Sequence, residues 1–248
     1  MPDDLRVLGI NEIDKQLVAS LPVGWLALLV GNSGSGAPLL AKQFAQAGIG
    51  RAPVLFYTTY ERTEDVRDAF SDFGWDGEAI RVVNLSDEYY ERVLVRGLEV
   101  SRARELGLKY ADLATPAAAP GRSVSFNLTN RMLSDLAGLD TPFRLVLDSL
   151  DFFLEVLEPA DVATIARQIR HRCQTLGGQA LLTLHSQAHD RSMTGLLQDI
   201  ADVVLELRAE PEGSTYQHWL MIQKVGNHPE LTRIVRAEFS NSGWSVKG

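Results

Sequence analysis

The chain has 248 residues, 45% of them hydrophobic and 23% charged, the balance of an ordinary globular protein rather than a disordered or fibrous one. Its formal net charge of -8 argues against a broad basic face that wraps nucleic acid, because such binding draws its affinity from neutralised phosphates. Cys173 is the only cysteine, which excludes a disulfide within the chain, and no apolar run approaches the roughly 20 residues that cross a membrane.

Strands and helices alternate from the start. WLALLV (Trp25 to Val30) is a short apolar run ending at glycines, as a buried parallel strand should. Pro38 opens a helix over Leu39 to Gln46 at a position where proline is tolerated. Pro53 to Thr59 reads as a second strand, and Thr63 to Phe73 as a second helix with Thr63 as its N-cap. Ile80 to Leu85 reads as a third strand, and Asp87 to Tyr110 as a long helical stretch. In that stretch Arg92, Arg96, Arg102, Arg104 and Lys109 mix with Glu88, Glu91, Glu99 and Glu105, the pattern of a solvated helix face rather than a basic patch.

The prolines and alanines of Leu113 to Ser123 break the alternation, so a mobile loop is expected over 113–125. Asn127 to Gly138 follows as a helix and Phe143 to Ser149 as a central strand. A helix over Asp161 to Leu176 is closed by Gly177 and Gly178. Gln179 to Ser186 is the next strand, followed by a polar loop and the strand Asp202 to Arg208. The tail changes character: YQHWLMIQKVG, LTRIVRAEFS and GWSV read as antiparallel strands with turns at Asn227 to Pro229 and Asn241 to Gly243. The expected fold is α/β, one domain over 1–248, with a mostly parallel sheet flanked by helices and ending in hairpins.

The segment Gly31-Asn32-Ser33-Gly34-Ser35-Gly36-Ala37-Pro38 lies between the first strand and its helix. It matches the frame of a P-loop, in which glycines let backbone N–H groups wrap phosphate oxygens. Ala37 stands where that motif has its phosphate-binding lysine, and Pro38 where Ser or Thr ligates Mg²⁺. Proline also lacks the N–H that a helix end would offer an anion. Losing the lysine contact alone weakens binding about tenfold to a hundredfold. The segment is then either a turn packing a helix on a strand or a weak anion site.

Around this loop the chain resembles the RecA/KaiC/RadA superfamily of P-loop ATPases. Gly9, Ile10, Ile13, Asp14, Leu17, Leu21, Pro22 and Gly24 match the lead-in of KaiC and RadA relatives. The resemblance implies a RecA-like fold. It puts Glu61 at the water-activating acid, Asp148 at the magnesium-side acid of the Walker B strand, and His185, Ser186 and Gln187 at the γ-phosphate sensor. It also puts Lys224 at a lysine that reaches a neighbouring subunit's nucleotide, with Gly226 where that pattern has arginine.

Each acid also has a plainer reading, Glu61 as a strand-end salt bridge and Asp148 as a hydrogen-bonded structural acid. Lys42, a turn beyond the loop, points elsewhere by helix direction. His185 and His189 lack a third metal ligand nearby, and Ser33 or Ser35 with Asp148 and His185 lacks the nucleophile elbow of a hydrolase. Two functions lead, ahead of a third, a recombination-type accessory protein on single-stranded DNA, which the acidic balance opposes. One is a non-catalytic RecA-like subunit, a scaffold or regulatory partner that assembles with its own copies or with related chains, with little or no nucleotide binding. The other is an ATP-binding switch or ATPase using an unorthodox loop, with Glu61, Asp148 and Lys224, holding ATP and Mg²⁺ weakly. Neither reading calls for nucleic acid or a membrane. The acidic opening MPDDLRVLGI lacks the plan of a secretory leader, so the cytoplasm is the expected compartment.

Overall fold

The computed structural model describes residues 7–87, 89–90, 102, 105 and 120–247. Helix α1 (Asn11–Leu17) precedes β1 (Trp25–Gly31), then α2 (Ala37–Gln46), β2 (Val54–Thr58), α3 (Thr63–Asp72) and β3 (Arg81–Asn84). Next come α4 (Pro120–Ala137), β4 (Arg144–Asp148), α5 (Asp151–Val156), α6 (Pro159–Leu176), β5 (Gln179–His185) and α7 (Arg191–Ile200). The chain ends in β6 (Val203–Glu212), β7 (Thr215–Val225), β8 (Arg233–Ser240) and β9 (Gly243–Lys247).

These strands form a nine-stranded sheet in the order β3-β2-β4-β5-β1-β6-β7-β8-β9. The pairs from β3 through β6 are parallel, and those from β6 to β9 antiparallel. The expected α/β architecture therefore holds, including the hairpins at its end. Strands β1, β2 and β4 are buried along their whole length, because helices cover both faces and leave no side for polar residues. Alternate residues of β1 feed two cores. Leu26, Leu28 and Val30 pack with residues of α4 to α7. Trp25, Ala27 and Leu29 pack with α1, α2, α3 and the hairpins.

Arg144 opens β4 at 0% exposure. Its guanidinium lies 4.2 Å from the centre of the Phe44 ring and donates to the carbonyls of Phe44 (2.6 Å) and Val7 (2.9 Å). Burial lowers its pKa to about 9, against the opposing pull of Asp14. At the far edge Gln43 of α2 donates to the carbonyl of Trp244 and accepts from its N–H. This side chain occupies the main chain of the last strand, a position otherwise open to pairing.

Several boundaries differ from expectation. Thr63 is the first residue of α3, not its cap: the N-cap is Arg62, whose guanidinium is turned onto Asp65. Residues 120–125 of the expected loop belong to α4, where Pro120 sits at the helix start and costs nothing; residues 113–119 lie outside the described residues. Most of the expected helix over 87–110, with its mixed Arg and Glu residues, lies outside them as well. The polar stretch after β5 contains α7, whose Met193, Leu197 and Ile200 are buried on one face. Helices α1 and α5 are additions of seven and six residues, too short for a clear helical period. No helix among the described residues is long and apolar enough to cross a membrane.

Candidate functional site

Sheet order explains how residues scattered in sequence converge. Strands β2, β4, β5 and β1 are consecutive neighbours, all parallel. Their C-terminal ends therefore bring Glu61, Asp148, His185 and Gly31 to one rim, where α/β sheets bind ligands. A cavity of about 270 Å³ opens there, lined by Gly31 to Pro38, Tyr60, Asp148, Ser149, Asp151 and Thr183 to His185.

The loop keeps an arched shape. Gly34 and Gly36 both take left-handed backbone, with φ of 76° and 78°. Gly36 also lies against the Trp244 ring, where an added Cβ would come within 2.5 Å. The Asn32 side chain clips the loop to β6 by hydrogen bonds to the carbonyl (3.0 Å) and N–H (2.9 Å) of Ala209. The helix end behind the loop is already satisfied. Ala37 N donates to Ser35 Oγ at 3.3 Å, Pro38 has no N–H, and Leu39 and Leu40 donate to the carbonyl of Gly36. None of these donors is left for an anion at the helix end.

The two acids are engaged too. Glu61 Oε2 accepts from Lys42 Nζ at 2.5 Å, and Lys42 is itself only 3% exposed. Asp148, 1% exposed, accepts at Oδ1 from the Thr183 hydroxyl and at Oδ2 from the Tyr60 hydroxyl, 2.8 Å away. Burial raises its pKa, and those hydrogen bonds and the Lys42 charge oppose the rise. Asp151 accepts from the N–H of His185 at 3.1 Å and pairs with His189 Nε2 at 2.7 Å.

These contacts leave little for a divalent cation. Mg²⁺ wants oxygens at near-octahedral positions, whereas both oxygens of Asp148 hold hydroxyls and Glu61 holds an ammonium. Among the described residues no group of three or more His, Cys, Asp or Glu is placed to hold a metal. The hydrolase triad does not assemble: Ser35 Oγ faces Ala37 N, and Asp148 is held by Tyr60 and Thr183. Lys224 lies away from this rim. Its ammonium donates to the carbonyls of Gln198 and Asp199 (2.9 and 3.0 Å) at the end of α7, where a cation favours the helix dipole.

Tyr60, Thr183 and Asp151 escaped the sequence reading. Thr183 carried a signal, being a lone hydroxyl in the apolar run Ala180 to Leu184, where a buried polar group demands a partner. Lys42 carried one as well, since it sits on the buried side of α2 among Leu40, Ala41, Phe44 and Ala45.

The parallel sheet, the strand–loop–helix at Gly31 to Pro38 and the acids on the neighbouring strands define a RecA-like P-loop domain. A family model for the KaiC ATPase matches residues 7–247, and the chain belongs to that family. In structure it is similar to a KaiC-like protein of the hyperthermophilic archaeon Pyrococcus horikoshii. The TM-score is 0.68 at 20% identity, covering 98% of this chain and 99% of that one, a likeness of fold. No curated protein matches the chain significantly.

Proposed function

We infer that this KaiC-family chain is a non-catalytic subunit, an oligomeric scaffold or regulatory partner with weak or no nucleotide binding. The observation that carries it is the loop-and-helix junction. Ala37 and Pro38 replace the residues that grip phosphate and Mg²⁺ in a P-loop, and the helix-end N–H groups are spent within the chain. Phosphoryl transfer depends almost wholly on stabilising charge on the transferring group, and no lysine of the loop supplies that here. Glu61, paired with Lys42, is not free to activate water. The Walker A motif is in this reading degenerate and Asp148 a vestige, held for structure by Tyr60 and Thr183.

Function then rests on assembly, with copies of this chain or with related RecA-like chains, in the cytoplasm. Calorimetric titration with ATP and Mg²⁺, paired with light scattering on the eluted protein, tests it. The expected result is little or no heat at millimolar nucleotide and a mass above that of one chain, alone or with a partner. Turnover of ATP that is lost in Glu61→Gln would sink the reading.

One observation favours the alternative, an ATP-binding switch with an unorthodox loop. The loop stays arched over a cavity, and the N–H groups of Ser33, Gly34 and Gly36 take no acceptor among the described residues. Saturable ATP binding abolished by Asp148→Asn would support that alternative.

A further inference from the structure

The antiparallel half of the sheet is covered on one face only. Leu220, Ile222, Ala237 and Val246 point into the core shared with α1, α2 and α3. Their alternates along β7, β8 and β9 point the other way, and none of these, among the described residues, joins the core under α4 to α7. An open face of this kind is ordinarily polar. Here Trp219 and Met221 are half-buried and Ile234 is 64% exposed, and the strand register sets Met221 beside Ile234.

The side chains of this face stand in rows across β6, β7 and β8. One row holds Arg208, Trp219 and Arg236, and the next holds Glu206, Met221 and Ile234. The first row is basic around an aromatic ring, and the second is apolar with one charge, the carboxylate of Glu206. Laid on each other, the two rows oppose no like charges, so the face is complementary to itself.

We propose that this face pairs with the same face of a second copy, about a two-fold axis that crosses the strands between the two rows. Trp219 then packs on the partner subunit's Met221, a favourable ring–sulfur contact. The aliphatic stem of Arg236 covers the partner subunit's Ile234 and keeps its guanidinium in water. Four strands about 4.8 Å apart, with about eight residues rising about 3.4 Å each, give a face of roughly 500 Å². A pair therefore buries about 1,000 Å², the lower end for specific association, so pairing is weak and depends on concentration. This deepens the reading of the chain as an assembling subunit and rests on it, adding the surface and the partner.

Sedimentation equilibrium of the whole chain, without nucleotide and from micromolar to submillimolar concentration, tests it. The wild type should pass from one chain to two and stop there, because a two-fold contact closes on itself. Ile234→Glu changes a residue that is mostly in solvent and should weaken pairing about tenfold or more. Val23→Glu changes an apolar residue of similar exposure, 71%, outside this face and should pair like the wild type. A spin label on Ser245→Cys, with Cys173 buried and unlabelled, should report one distance between copies of about 20–30 Å. The proposal is overturned by a wild type that stays a single chain throughout, by assembly that grows past two copies, by Ile234→Glu pairing as tightly as the wild type, or by a label distance outside that range. Should Ile234→Glu not fold, the label distance decides by itself. Assembly that ignores Ile234→Glu overturns this contact and leaves the non-catalytic reading standing, whereas turnover of ATP by the wild type sinks that reading separately.

Discussion

The hydroxyl of Tyr60 donates to Oδ2 of Asp148 at 2.8 Å while Tyr60 as a whole is 52% exposed. The acid that ends the central strand is thus shut from solvent by a residue that faces solvent. Tyr60→Phe keeps the ring and removes the donor, leaving one oxygen of a buried carboxylate unsatisfied. The expected cost is about 1–3 kcal/mol, read by urea denaturation. Because burial already raises the Asp148 pKa, the cost falls on the ionised form, so the loss should be greater at neutral than at mildly acid pH.

Restoring the motif separates binding from chemistry. Ala37→Lys with Pro38→Thr returns the lysine, the hydroxyl and one helix-end N–H. Affinity for ATP with Mg²⁺ should rise about tenfold to a hundredfold by calorimetry. Hydrolysis should stay near background, because Glu61 remains bound to Lys42.

Asp14 provides a pH signature far from that rim. Burial raises its pKa from 3.8 to about 6, against hydrogen bonds from the N–H groups of Leu8 and Gly9 and the charge of Arg144. A carboxyl raised on folding binds its proton more tightly in the native state. Its contribution is therefore fully present below about 3.8 and lost as pH rises through about 6. The change is on the order of 3 kcal/mol. Asp14→Asn should flatten the stability profile in that window, measured by chemical denaturation at a series of pH values.

Gly36 carries two constraints at once. Alanine there must adopt a φ of 78° and push its Cβ into the Trp244 ring. Gly36→Ala should cost about 2–4 kcal/mol and alter the tryptophan fluorescence. Gly50→Ala, with a φ of 75° and open space around the added Cβ, should cost less.

Much of the fold was legible because buried parallel strands write themselves as apolar runs. Trp25 to Val30 and Phe143 to Ser149 match β1 and β4 within a residue or two. The elements missed were short or broken: α7 carries Gly195 in its middle, and α5 has six residues. Glu61 and Asp148 were named in the sequence through the family resemblance, and the sheet order sets both at one rim beside the loop. Their partners were not, since Tyr60 and Thr183 meet Asp148 only across the sheet, 88 and 35 residues away in the chain.

The sequence by itself determined the α/β alternation, the hairpin tail and the loop that carries Ala37 and Pro38, because these depend on side-chain period and residue chemistry within a few positions. Only the tertiary structure decided what the acids touch. Sheet order set β2, β4, β5 and β1 side by side, and the direction of α2 delivered Lys42 to Glu61. Such contacts are chosen by packing across distant segments, where the need to satisfy every buried charge selects one arrangement that no local pattern encodes.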